Sequence, residues 1–320
     1  MKRLTRYQAW LVLLASMGIS IGSINHDKAA AARTQARMHD GEKKDIETAT
    51  ASSKQLLAQT ITTAESALQE GIQLITQGDV EAAIAAFTQA TNLDPTLAPA
   101  HYNLGLALRQ NEQVQAAATS FWQATQADPT FALAYANLGA ALLDGNNLDQ
   151  AAGYLNRAAQ LDPELGIAHY NLGLLHRRRG NQTLAFEAFK QAIVFSPSAP
   201  EPHFHIGLIY QEQNQDIPAR GAFQNALSIQ SQYPEARYKL GITLVRLGEL
   251  DAAVSEFEQA FTQAPEFAHA YYAQGLALAD LTRYSEAKTQ LRTAINLYIA
   301  QGNAEWANIA QRQIAYIESL

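Results

Sequence analysis

The strongest constraint on this chain is a period of 34 residues. Glycine recurs in phase at Gly71, Gly105, Gly139, Gly173, Gly207, Gly241 and Gly275. Alanine follows twelve residues after each, from Ala83 to Ala287, and again seven residues further on, from Ala90 to Ala294. Glycine makes up about 7% of average sequences, so seven hits in one chosen phase arise by chance on the order of 10⁻⁸. A chain with such a period stacks copies of one small unit, each burying a face that no single copy can bury alone.

Each unit reads as two helices. The first carries apolar residues at i, i+3 and i+7, as in Tyr135, Leu138 and Leu142. A polar turn such as Asp144-Gly145-Asn146-Asn147 follows, then a second apolar spacing such as Ala151, Leu155 and Ala158. The second helix ends where proline restricts the residue before it: Asp94-Pro95, Asp128-Pro129 and Asp162-Pro163, with Ser196-Pro197 and Ala264-Pro265 as variants. The fifth unit has Ser231 in place of that proline and Pro234 three residues later. The seventh lacks it, so its second helix is expected to run on through Leu297. Glycine inside a helix costs about 1 kcal/mol relative to alanine. A close crossing justifies that cost, with the glycine of one helix expected to face an alanine of the other.

Alanine, leucine and glutamine dominate and β-branched clusters are few, which favours helix. A hydrophobic content of 48% excludes wholesale disorder. The fold class that follows is all-α. Residues before Ala64 carry nine Lys/Arg and five Asp/Glu, whereas those from Ala64 onward carry fourteen and twenty-five, net −11. An acidic array argues against nucleic acid as a partner. The absence of cysteine removes disulfides, thiolate metal sites and a cysteine nucleophile.

At the N-terminus Lys2, Arg3 and Arg6 precede an uncharged run from Tyr7 to Asn25. That layout fits a cleaved signal peptide over 1–23 or an uncleaved signal anchor of bilayer-spanning length. Either places the array outside the cytoplasm, in a periplasm or equivalent lumen or tethered to the membrane. Residues 24–63 form a polar, alanine-rich linker. Beyond the repeats, Trp306, Ala310, Ile314 and Ile317 make one apolar stripe over 302–320. A capping helix there would cover the last open face of the array.

A 34-residue helix-turn-helix unit with these fixed small residues resembles the tetratricopeptide repeat, over seven units spanning 64–301. The resemblance implies a right-handed α-solenoid whose first helices line a concave groove. It also implies that the second, fifth, ninth, twelfth and thirteenth residues of each unit, counted from Ala64, Ala98, Ala132, Gly166, Pro200, Pro234 and Ala268, face that groove. The fifth and ninth positions then offer Tyr102 with Leu106, Tyr170 with Leu174, Phe204 with Leu208, Tyr238 with Ile242, and Tyr272 with Leu276. Tyrosine at the fifth position either packs between units or faces a ligand. The aliphatic ninth position points to an apolar floor suited to an amphipathic or hydrophobic protein segment.

At the twelfth and thirteenth positions stand Arg109, Arg177, Arg178 and Arg246. They either grip acidic groups of a ligand or are neutralised within the array by Asp144 and Glu212. Asn103, Asn137 and Asn171 share the sixth position, from which such asparagines in the family can bond a bound peptide's backbone.

Catalytic signals are missing. His203 and His205 are two apart and so point to different helix faces. His101, His169 and His203 share one unit position, which suits packing better than metal ligation. No phosphate loop or hydrolase motif occurs. The sequence therefore reads as a non-catalytic scaffold without cofactor or metal, serving assembly or biogenesis outside the cytoplasm. The alternative is a chaperone-like holder of hydrophobic client segments.

Overall fold

The computed structural model describes residues 59–60 and 63–320. The expected signal or anchor and nearly all of the linker lie outside them. Among the described residues the chain is helical throughout, without strands, and no helix is long and apolar enough to cross a membrane. The chain divides into two compact units, one ending at Pro163 and one spanning Glu164–Leu320. Each is a repeat solenoid of antiparallel helix pairs.

The first unit contains α1 (63–77), α2 (Val80–Leu93), α3 (Ala98–Gln110), α4 (Val114–Ala127), α5 (Ala132–Asp144) and α6 (Leu148–Leu161). The second contains α7 (Gly166–Arg178), α8 (Gln182–Phe195), α9 (Pro200–Glu212), α10 (Asp216–Ile229), α11 (Pro234–Arg246) and α12 (Leu250–Gln263). It continues with α13 (Ala268–Asp280), α14 (Tyr284–Ala300) and α15 (Ala304–Glu318). Within the second unit successive helices pack on each other, and α9 also touches α11, as α11 touches α13.

The glycine of each first helix makes the close approach that justifies it, but its partner is not alanine. A Cβ built on Gly173 would lie 2.5 Å from two ring carbons of Phe189, and one on Gly105 would lie 2.6 Å from two of Phe121. Leu155 and Leu291 take the ring's place opposite Gly139 and Gly275, where the backbone oxygens of Ala151 and Ala287 also come within 3.4 and 3.2 Å. Each large side chain opposite a repeat glycine is fully buried. The notch is therefore filled by an aromatic or leucine knob, and the repeated alanines pack beside it.

The turn inside each pair has one geometry. Seven residues at the fifteenth position of their unit have positive φ: Gly78, Glu112, Asn146, Gly180, Asn214, Gly248 and Thr282. The next residue returns a backbone bond to the carbonyl five positions back, as in Gln113 to Leu108 (2.9 Å) and Arg283 to Leu278 (2.8 Å). This six-to-one closure satisfies a carbonyl that a helix end would otherwise leave unpaired.

Between pairs, Asp94 ends α2 in an extended conformation, as the following proline requires. Its Oδ1 accepts from Thr96 N (2.9 Å) and Thr96 Oγ1 (2.7 Å). At the end of the seventh pair no proline intervenes, and α14 reaches Ala300 with 17 residues against 14 in α12. The final helix α15 lays Ala307, Ala310, Ile314 and Ile317 inward.

Candidate functional site

In the first unit the residues expected to line a groove are committed to packing. Tyr102 and Leu106 are 4% and 5% exposed. The Tyr102 ring tilts against Phe121 and Phe131 at 5.8 and 4.9 Å. Its hydroxyl accepts from Asn137 Nδ2 at 3.1 Å. Burial raises the Tyr102 phenol far above its usual range, opposed by the Arg109 charge and the Asn137 bond. Asn137 Nδ2 also donates to Leu133 O (3.0 Å), and Asn103 Nδ2 donates to Pro99 O (2.8 Å). Both amides are buried and serve their own helix four residues back, instead of facing outward to a peptide. Asn171 is buried as well.

The second unit presents a different face. Tyr170, Phe204, Tyr238 and Tyr272 stand in one row, with Leu174, Leu208, Ile242 and Leu276 beside them, all half-buried. Tyr170, Phe204 and Tyr238 each tilt against the buried phenylalanine of their own pair, Phe189, Phe223 and Phe257, at 5.8 to 6.0 Å. Each ring also meets a second one, Tyr170 with His205 at 5.8 Å, Phe204 with Tyr233 at 5.1 Å and Tyr238 with Phe267 at 5.1 Å, and still keeps part of its surface uncovered.

Trp306 on α15 extends this row, meeting Tyr272 edge-to-face at 5.6 Å. It stands 34 residues after Tyr272, a signal obscured because the glycine phase stops at Gly275. Trp306 also contacts His269 at 4.8 Å and Tyr298 at 5.9 Å. The Tyr298 hydroxyl lies 2.7 Å from His269 Nδ1. Burial, and secondarily the Lys239 charge, lower the His269 pKa. Burial raises the phenols of Tyr238, Tyr272 and Tyr298, with Arg312 opposing the shift at Tyr272.

The arginines resolve toward internal pairing. Arg109 NH2 lies 3.7 Å from Asp144, and its NH1 lies 3.5 Å from Asn137 Oδ1. The second unit repeats this ladder one size larger. Arg177 NH2 donates to Glu212 (3.1 Å), its NH1 lies 3.0 Å from His205 Nδ1, and His205 Nε2 lies 3.3 Å from Tyr170 Oη. Because a guanidinium only donates, Nδ1 accepts, and this assigns the proton of a neutral ring to Nε2, facing the tyrosine oxygen.

Glu212 is held further by Gln182 Nε2 at 2.8 Å. Arg246 reaches back to the preceding turn, with Nε 3.0 Å from Asp216 Oδ1 and NH2 donating to Asn214 Oδ1 at 2.9 Å. Arg109, Arg177 and Arg246 therefore stitch neighbouring helix pairs, and Arg178 is exposed. These ion pairs are partly solvated and individually modest in energy. Arg109 and Arg177 tie one first helix to the next, and Arg246 ties its helix to the turn of the preceding pair.

The fourth-position histidines pack against the end of a second helix, His101 at that of the preceding pair and His169 at that of its own. His101 Nε2 bonds Pro95 O at 2.9 Å, and His169 stacks on Phe195 at 5.4 Å.

Residues 25–281 match the family model described as the C-terminal domain of cilia and flagella-associated protein 70, a tetratricopeptide repeat region. Residues 268–298 match a tetratricopeptide repeat model. No curated protein matches the chain. Among solved structures, the chain is similar to YrrB, described as a TPR protein with an unusual peptide-binding site. Identity there is 25%, over 61% of this chain and 99% of that one, with a TM-score of 0.51. PilF of Pseudomonas aeruginosa shares the fold at 21% identity and TM-score 0.58, over 64% and 94% of the two chains. A chain of the Cut9–Hcn1 complex of the APC/C does so at 18% and 0.61, over 80% of this chain and 55% of that one.

Proposed function

Because the chain belongs to the tetratricopeptide repeat family, in the group whose model covers residues 25–281, we propose that it is a non-catalytic scaffold that binds protein segments on the aromatic and aliphatic row of its second unit. One observation carries the reading. The row covers the fully buried Phe189, Phe223, Phe257 and Leu291 with its inner side, yet it keeps partly uncovered apolar surface on every first helix from α7 to α13. Surface of this kind, repeated at one spacing, fits an apolar or amphipathic segment laid along it. The peptide-binding site named for YrrB, at 25% identity, supports the same use of the fold.

The basic head and uncharged run at the N-terminus extend the proposal. The array works outside the cytoplasm, cleaved from its signal or tethered by it, and holds components of an assembly together.

A photoreactive residue placed at Leu208 should crosslink one partner that the same residue at exposed Glu258 does not. Leu208→Asp combined with Ile242→Asp should abolish capture while far-UV circular dichroism stays helical. Many unrelated captured clients would indicate a holder of hydrophobic segments. Capture that survives in the folded double variant would refute the assignment of this face.

A further inference from the structure

The charged groups along the row of the second unit are not all paired. Arg237 holds Glu256 at 2.8 Å and Arg246 holds Asp216 at 3.0 Å. Lys239, on the same helix α11, forms no ion pair among the described residues, although Glu235 stands one turn before it in the favourable i,i+4 arrangement. Its ammonium lies instead 5.6 Å from the centre of the Tyr238 ring. Lys239 is half-buried, sits next to Tyr238 in the row, and precedes Ile242 by three residues, so both flank it on one helix face. A cation over an aromatic face, without a carboxylate, inside an array of net −11, is a charge awaiting a partner.

Resting on the assignment of this face as the binding surface, we propose that the end of the row formed by Tyr238, Ile242, Tyr272 and Trp306 takes an apolar segment carrying an internal Asp or Glu side chain, which pairs with Lys239. A carboxylate arriving there meets a partly desolvated cation, and a charge-assisted hydrogen bond in that setting is stronger than a solvated surface pair. The exposed Arg312 of α15 adds to the positive potential at the same end, opposing the rise of the Tyr272 phenol. Lys239 likewise contributes to the lowering of the His269 pKa.

The test uses a random twelve-residue peptide library displayed at the N-terminus of a phage coat protein, which leaves no free peptide carboxylate. Selection on the full chain should enrich Asp or Glu flanked by Leu, Ile, Phe or Trp. Selection on Lys239→Glu should retain the apolar residues and replace the acid by Lys or Arg. With Lys239→Gln, an enriched peptide and its Glu→Gln counterpart should bind equally, whereas the natural chain should prefer the acidic form by about tenfold.

Acid enrichment that persists on Lys239→Glu, or enrichment without acids on the natural chain, overturns the role of Lys239 and leaves the face assignment standing. Peptides that bind Ile242→Asp undiminished, or a library that enriches nothing, overturn the face assignment itself. Circular dichroism of each variant reports that the helices are intact.

Discussion

Replacing Gly173 by alanine isolates the contact on which the repeat depends. The new Cβ would lie 2.5 Å from Cδ1 and Cε1 of Phe189 and 2.9 Å from its Cζ. Carbon atoms rest at about 3.5–4.0 Å, so the methyl overlaps three ring atoms, two of them by about 1 Å. The ring has little room to yield, because it is fully buried and stacks on His205 at 5.0 Å. Overpacking of this kind costs about 1–3 kcal/mol, and three overlapping atoms put it at the upper end. Alanine returns about 1 kcal/mol of helix propensity. The net is a destabilisation of about 2 kcal/mol.

Gly221 is the internal control. It lies within α10 of the same compact unit, and a Cβ there meets nothing within 4 Å. Gly221→Ala should therefore stabilise by about 0.5–1 kcal/mol. Urea unfolding of the full chain, followed by far-UV circular dichroism, compares the two variants under the same nearest-neighbour coupling of repeats. The two substitutions should shift the midpoint in opposite directions. A Gly173→Ala chain as stable as the natural one would refute the close-packing argument.

Two further outcomes follow from local geometry. Thr282 is β-branched yet holds φ of +61°, so Thr282→Gly should raise stability by about 1 kcal/mol in the same urea assay. An unchanged or lower midpoint would contradict the left-handed turn. His269 has a folded-state pKa lowered by burial and by Lys239. Its contribution is thus present above its unfolded value of 6.5 and lost as pH falls through the folded value. With Trp10 and Trp122 replaced by Phe, Trp306 emission should titrate with a midpoint below 6.5, since the two rings lie 4.8 Å apart. A midpoint at or above 6.5 would place His269 in solvent.

The architecture was legible because its punctuation is chemical. Proline ends second helices at Asp94, Asp128 and Asp162, and its absence after the seventh pair lets α14 run to Ala300. The partner of the repeat glycine was not read, although Phe189 follows Gly173 by sixteen residues and the same spacing holds throughout. Small residues announce a close approach, but what fills it depends on the rotation of the facing helix.

The left-handed turn position was hidden for a related reason. Glycine marks it at Gly78, Gly180 and Gly248, but Glu112 and Thr282 are residues that sequence reasoning assigns elsewhere. At the candidate site, periodicity located the row of rings and aliphatics. It did not show that Arg177 is occupied, because its partners His205 and Glu212 lie 28 and 35 residues away, across a repeat boundary. Whether a charge is open to a ligand depends on such neighbours.

The turns also set where the array breathes. Within each compact unit a helix pair packs on the pair next to it, so the backbone cost of a turn stays local. The pairs closed by Glu112 and Thr282 hold a residue that is neither glycine nor asparagine in a left-handed conformation suited to those two. They are the weak clasps, and of the two only the one at Thr282 joins helices of the face that ends in Tyr272 and Trp306. The other turns of that unit, at Gly180, Asn214 and Gly248, hold residue types that adopt this conformation at little cost, so the terminal pair carries the turn that gains most from opening.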